Sequence, residues 1–116
     1  MHPHQLPTTA PAELDQARAD GAVVLDVRED EEWDVGHLPD SVHVPMHAVP
    51  AWLDSRSGDD QRPVVVVCRS GHRSAHVTAW LREQGVDASN LDGGLLAWAV
   101  ERRPMVTDSG AEPFVG

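Results

Sequence analysis

The 116 residues contain one cysteine, Cys68, so an internal disulfide and a Cys-rich metal site are both excluded. Any second thiol that Cys68 meets must come from another molecule. Lysine is absent; all nine basic residues are arginine, against 19 acidic ones, for a formal net charge of −10. That balance argues against partners such as nucleic acid or an anionic membrane. No apolar run approaches the roughly 20 residues needed to span a bilayer. Met1-His2-Pro3-His4-Gln5 lacks the basic start and apolar stretch of a secretory signal, so a cytoplasmic location is expected. His2, His4, His43, His47 and His76 share no ligand spacing, and neither a metal nor a cofactor is expected. Repeats and low-complexity segments are also missing.

What is present suits one soluble domain spanning residues 1–116: 41% hydrophobic and 24% charged residues. A short edge strand is expected around Gln5 to Pro7. Thr9 reads as a cap and Pro11 as a first-turn residue of a helix running to about Asp20 and stopped by Gly21. Ala22 to Val27 has the continuous apolar character of a strand buried on both faces. Glu29 to Val35 forms a short acidic helix closed by Gly36, and Ser41 to Val44 a second strand closed by Pro45. Val49 to Arg56 is a helix. Val64-Val65-Val66-Val67 is the least ambiguous strand, β-branched, uncharged and introduced by Pro63. A helix follows over residues 74–84 with Val77, Trp80 and Leu81 on one face, then a strand from Ala88 to Leu91. A last helix runs from Gly94 to about Arg102 with Leu95, Trp98 and Ala99 on one side. The tail from Thr107 reads as loose. Strands alternating with helices imply an α/β fold with a parallel sheet covered on both faces.

The chemistry concentrates where the valine strand meets the next helix. Cys68 ends the strand, and ligands of open α/β sheets bind at that edge. Cys68-Arg69-Ser70-Gly71-His72-Arg73 is a short loop with glycine where the chain can turn freely. Its amides can curl toward one centre as an anion nest reinforced by the helix N-terminus. A sulfur atom there would be held as the nucleophilic thiolate by N–H donors, the helix end and two guanidiniums. The cluster Arg69, His72 and Arg73 is a positive patch on a strongly negative chain.

Cys68-Arg69-Ser70-Gly71-His72-Arg73-Ser74 resembles the C-x-x-G-x-R-S loop of single-domain rhodaneses. Asp26-Val27-Arg28, Glu32-Trp33 and Gly36-His37-Leu38-Pro39 resemble that family's D-V-R…E-[FYW]…G-H-[IL]-P segment. Leu91-Asp92-Gly93-Gly94 with Trp98 resembles its L-x-G-G-x-x-x-W segment. Three ordered motifs are far more specific than one short match. The resemblance covers roughly residues 8–106 and implies a rhodanese-like three-layer fold, with about five short, mainly parallel strands between helices.

The same resemblance implies a thiosulfate sulfurtransferase. Cys68 would accept the outer sulfur of a small anionic donor such as thiosulfate, or of a persulfide-carrying protein, and pass it to cyanide or a thiol. Residues 69–73 would form the anion cradle. Asp26, Arg28, Glu32 and Ser74 would support the loop, and Gly93 and Gly94 would let another backbone segment approach. Two departures stand out. Asp40 replaces the usual glycine after Pro39, a substitution a turn tolerates. Arg102 and Arg103 occupy the stretch where a glycine commonly follows the last Trp.

Other readings compete with each of these. A lone cysteine after four valines is most often an inert core residue; Arg69, Gly71 and Arg73 argue against that here. His37 reads as a turn or packing residue, and His72 as a loop residue that is either solvated or tunes local charge. Trp33 or Trp98 could line the pocket mouth. Asp26 reads as an anchor, because a preformed thiolate needs no strong base. A Cys-dependent phosphatase uses a similar loop, with five residues between Cys and Arg where Cys68 and Arg73 enclose four, and commonly a His at the position of Val67. A non-catalytic interaction module typically loses the cysteine that this chain keeps.

Overall fold

A computed structural model describes residues 6–116 of the chain. Five strands form one sheet: β1 (Thr8–Thr9), β2 (Val23–Asp26), β3 (Val42–His43), β4 (Val64–Val67) and β5 (Ala88–Leu91). The order is β1-β5-β4-β2-β3, and every pairing is parallel. The helices are α1 (Leu14–Ala19), α2 (Asp30–Val35), α3 (Val49–Ser55), α4 (His72–Glu83) and α5 (Gly94–Val100). None of them is long and apolar enough to cross a membrane.

Strand alternation sorts the valines into two layers. Val64 and Val66 pack with Leu25 and Val27 against Val49 of α3 and Val77 and Leu81 of α4. Val65 and Val67 pack with Val24 against Leu14 of α1 and Leu95 and Trp98 of α5. Helices on both faces of a parallel sheet give the three-layer α/β architecture that the sequence implied. All four valines of β4 are buried, which is why the run shows no polar alternation.

Several boundaries differ from the sequence reading. The edge strand forms at Thr8–Thr9 rather than around Gln5 to Pro7; Pro7 still accepts a bond from the Asn90 amide, while Gln5 lies outside the described residues. Thr9 is therefore a strand residue whose hydroxyl meets Ser89, and the first helical turn begins after Ala10, whose amide bonds to the Glu13 carboxylate. The helix expected over 74–84 starts at His72, because Gly71 takes the left-handed conformation (φ 101°) that turns the chain into it. Ala99 is exposed, unlike Leu95 and Trp98. From Thr107 the chain forms no helix or strand; Val106 just before it pairs with His37 in an antiparallel bridge, and the Phe114 amide bonds to Val35 at 2.9 Å.

The two departures from the family pattern fall at left-handed positions. Asp40 adopts φ 58° in a turn closed by Ser41, whose hydroxyl donates to Leu38 at 2.7 Å. Arg102 adopts φ 55° just past α5, while Arg103 donates back to the Trp98 carbonyl. An L-residue pays a steric penalty there that glycine avoids. Arg102→Gly is expected to raise stability by about 0.5–1 kcal/mol after the entropy lost by glycine on folding is subtracted. The check is the urea midpoint at unchanged m-value; a fall in midpoint would mean that the Arg102 side chain matters more than its backbone.

Candidate active site

The direction of the chain in the sheet reverses between β2 and β4, since β2 leads outward to β3 and β4 leads the other way to β5. Clefts of open α/β sheets form at such a point, beyond the carboxyl ends of the strands. Asp26 is paired with Val67, so the segment after β2 and the loop after β4 leave the sheet side by side.

Cys68 continues the even-numbered face of β4, and its side chain is directed to the layer containing α4. The residue is almost wholly buried, at 1% exposure. Two backbone amides donate to its Sγ, Gly71 at 3.1 Å and Ser74 at 3.4 Å, and the Ser74 hydroxyl lies 3.2 Å away. Both amides belong to the start of α4, among the N–H groups a helix cannot satisfy internally. The His72 and Arg73 side chains ride on that first turn rather than in a loop, and His72 and Ser70 are exposed.

Asn90 of β5 is a site residue that the sequence reading missed. Its amide nitrogen donates to the Gly71 carbonyl at 3.1 Å, which fixes its oxygen toward the Ser74 hydroxyl at 2.5 Å. The Ser74 proton thus has two acceptors, Asn90 Oδ1 and the Cys68 sulfur. A polar residue near the carboxyl end of a strand beside β4 was the available signal.

The loop is held from below by α5. The Leu95 and Leu96 amides donate to the Cys68 and Arg69 carbonyls at 2.9 and 3.0 Å. A Cβ on Gly94 would lie 2.6 Å from the Arg69 carbonyl oxygen, so only glycine permits this approach. Gly93 differs from the expectation: the nearest atom to an added Cβ is Ala97 of its own helix, not a second segment.

Arg73, expected among the anion-binding groups, is engaged elsewhere. Its two Nη groups fork onto the Glu32 carboxylate, at 2.6 and 2.8 Å. Asp26 and Arg28 form a separate buried pair, at 1% and 0% exposure. Arg28 Nη2 donates to Asp26 Oδ2 at 2.8 Å and to the Gly36 carbonyl at 2.7 Å. Arg69 is exposed, and its Nε donates to the Gly116 backbone oxygen at 3.1 Å. His37 is buried, stacked on Trp33 at 3.5 Å, and Trp33 also stacks on His43. Trp98 is core, with its indole N–H on Pro104, and lines no mouth.

The Arg73 fork holds the Glu32 carboxyl down at about 2, against the opposite push of burial, and Glu32 in turn raises Arg73. A carboxylate depressed on folding contributes stability that is full above its ordinary 4.5 and is lost as pH falls through about 2. Glu32→Gln is therefore expected to cost about 1–2 kcal/mol at pH 7, restrained by the one-third exposure of Arg73. Urea midpoints of the two proteins should converge as pH falls from 4.5 toward 2. A gap that stays constant across that range would exclude Glu32 ionisation as its source.

Comparison with known proteins agrees with this geometry. The family model described as rhodanese-like domain matches residues 10–101. The putative sulfurtransferase YtwF of Bacillus subtilis is 41% identical over 81 residues, covering 70% of this chain and 77% of that protein. The thiosulfate sulfurtransferase GlpE of Pseudomonas syringae is 37% identical over 89 residues, covering 76% and 82%. A rhodanese-like domain protein of Staphylococcus aureus superposes with a TM-score of 0.70 at 33% identity, covering 80% of this chain and 91% of its own. A family model matching most of the length and relatives at 37–41% identity show that the chain belongs to the rhodanese-like domain family.

Proposed function

We propose that Cys68 carries a sulfane sulfur as a persulfide in a double displacement. The chain is a rhodanese-type sulfurtransferase; the carrier role and the thiosulfate donor are the finer reading. The observation that carries it is the convergence of two backbone amides, with the Ser74 hydroxyl beside them, on one buried sulfur at a helix N-terminus.

In the first step the Cys68 thiolate attacks the outer sulfur of thiosulfate. The thiosulfate S–S bond breaks, its electron pair leaves with sulfite, and Cys68 becomes a persulfide anion. In the second step cyanide attacks the outer sulfur, thiocyanate departs, and the thiolate is regenerated. A deprotonated thiol acceptor would instead leave as its own persulfide. The loop amides and the α4 terminus favour negative charge on sulfur in both states. Neither step requires a general base, and among the described residues no ionisable side chain is hydrogen-bonded to Sγ.

A phosphatase reading fits less well. Such an enzyme needs the loop arginine free to hold a phosphoryl group, and Arg73 is committed to Glu32. A cytoplasmic setting is part of the proposal.

Intact mass spectrometry before and after thiosulfate tests the reading. The expected result is a gain of one sulfur atom, removed by cyanide with release of thiocyanate. A gain only from a persulfide donor would replace thiosulfate with a protein-to-protein relay. No gain from any donor would overturn the carrier role of Cys68.

A further inference from the structure

Asn90 is a polar residue on a face of the sheet that is otherwise core. It stands level with Val66 in β4, and Val64, Val66 and Ala88 on that face are fully buried. Asparagine is also a poor strand former. Strand parity points its side chain toward α4, where it meets the Gly71 carbonyl and the Ser74 hydroxyl.

The hydrogen-bond roles at these contacts are fixed. A carbonyl only accepts, so the Asn90 nitrogen faces Gly71 and its oxygen faces Ser74. That oxygen only accepts as well, so the single Ser74 hydroxyl proton lies in the 2.5 Å contact with Asn90. Ser74 therefore turns a lone pair, not a proton, toward Sγ at 3.2 Å. A thiol can donate its own proton to that lone pair; a thiolate gains nothing from it. The Gly71 and Ser74 amides remain as donors to the sulfur.

Charge near the sulfur comes from several elements. Arg73 on α4 feels the Cys68 charge while forked onto Glu32 of α2. The Asp26–Arg28 pair lies at the end of β2, and Arg69, His72 and Asp92 are exposed. Val49 comes from α3, and the Leu95 amide of α5 meets the Cys68 carbonyl. Among the described residues, Asn90 alone competes with Sγ for the Ser74 hydroxyl proton.

We propose that Asn90 is a positioning residue for sulfur transfer, drawing the Ser74 proton away from Sγ so that two donors rather than three hold the thiolate. This rests on the reading of Cys68 as the sulfur carrier. An anion with one donor fewer is harder to form and more nucleophilic once formed. Asn90 thus lowers the thiolate population and raises the reactivity of each thiolate. No bond to hydrogen is broken; only the hydroxyl torsion of Ser74 is set.

Thiolate formation can be read directly. The chain has one cysteine and no tyrosine, so ultraviolet absorbance gained as pH rises reports Cys68. The full chain, freed of bound sulfur with cyanide, is compared with Asn90→Leu, which keeps the volume and removes both polar groups. Asn90→Ala removes the same groups and repeats the test if the leucine variant does not fold. The expected midpoint of thiolate formation falls by about one pH unit, as the freed hydroxyl turns to the anion. Single-turnover sulfite release from thiosulfate should become about threefold slower where both proteins are fully thiolate. Below both midpoints it should become about threefold faster, so the two pH profiles cross. In a Ser74→Ala background, Asn90→Leu should leave the midpoint in place. An unchanged or raised midpoint in Asn90→Leu overturns the proposal. An equal fall in the Ser74→Ala background also overturns it, since Asn90 would then act through the Gly71 carbonyl. A wild type that releases no sulfite overturns the carrier reading instead, while the titration, which needs no donor, still decides the role of Asn90.

Discussion

Cys68→Ser is expected to lose sulfur transfer by about 10³-fold or more while keeping its fold. The side chain is buried against Val66 and Val77, and serine adds no volume there. The two amides and the hydroxyl that meet the sulfur can meet an oxygen as well, so a buried hydroxyl would not be left unsatisfied. Chemistry is the difference. An alcohol needs a base to become a nucleophile, and among the described residues neither a histidine nor a carboxylate is bonded to the atom at this position. The expected readings are a thermal midpoint within a few degrees of wild type and no mass gain with thiosulfate. A variant retaining more than about one-hundredth of the wild-type rate would place the sulfur elsewhere than on residue 68.

The parts of this site legible in the sequence were those fixed by local rules. Four consecutive valines after Pro63 define a doubly covered strand, and strand parity alone then directs Cys68 to the layer of α4. The turn at Gly71 was equally visible; its consequence was not. The left-handed glycine lets the helix begin at His72, which lifts Arg73 out of the loop and toward Glu32, 41 residues away in sequence. No local pattern encodes that distance, and Glu32 entered only through the family resemblance. Asn90 was obscured for a similar reason: its bonds to Ser74 and Gly71 exist only because β5 lies beside β4. The contacts of the tail were not visible because they are largely backbone ones. Val106 to His37 and Phe114 to Val35 depend on main-chain groups that every sequence carries. A segment rich in Gly, Ser and Thr shows no periodicity by which to detect them.

Asp26→Ala is expected to give the largest loss of stability, about 3–5 kcal/mol, a substantial share of the 5–15 typical of a small domain. Arg28 has no exposure to water, so removing its carboxylate leaves a guanidinium charge buried and uncompensated. The Gly36 carbonyl would remain as an acceptor for Nη2, but among the described residues Nη1 has no partner even in the wild type. The loss should reach the site as well. The Arg28 carbonyl receives His43 and its guanidinium holds Gly36, which underlies the Phe114 contact, so a displaced Arg28 disturbs the wall that carries Glu32. The pair itself need not be stabilising overall. Desolvating two charges offsets much of their attraction, and a well-packed apolar pair of similar volume can equal it. Asp26→Ala combined with Arg28→Met should therefore recover more than half of the lost stability, a strongly non-additive result. Urea unfolding of the two single variants and the double variant separates these terms. A loss below about 1 kcal/mol for Asp26→Ala would mean that water reaches Arg28 when the carboxylate is gone. A double variant no more stable than the single would mean that the Gly36 bond, rather than the buried charge, is what the domain requires of Arg28.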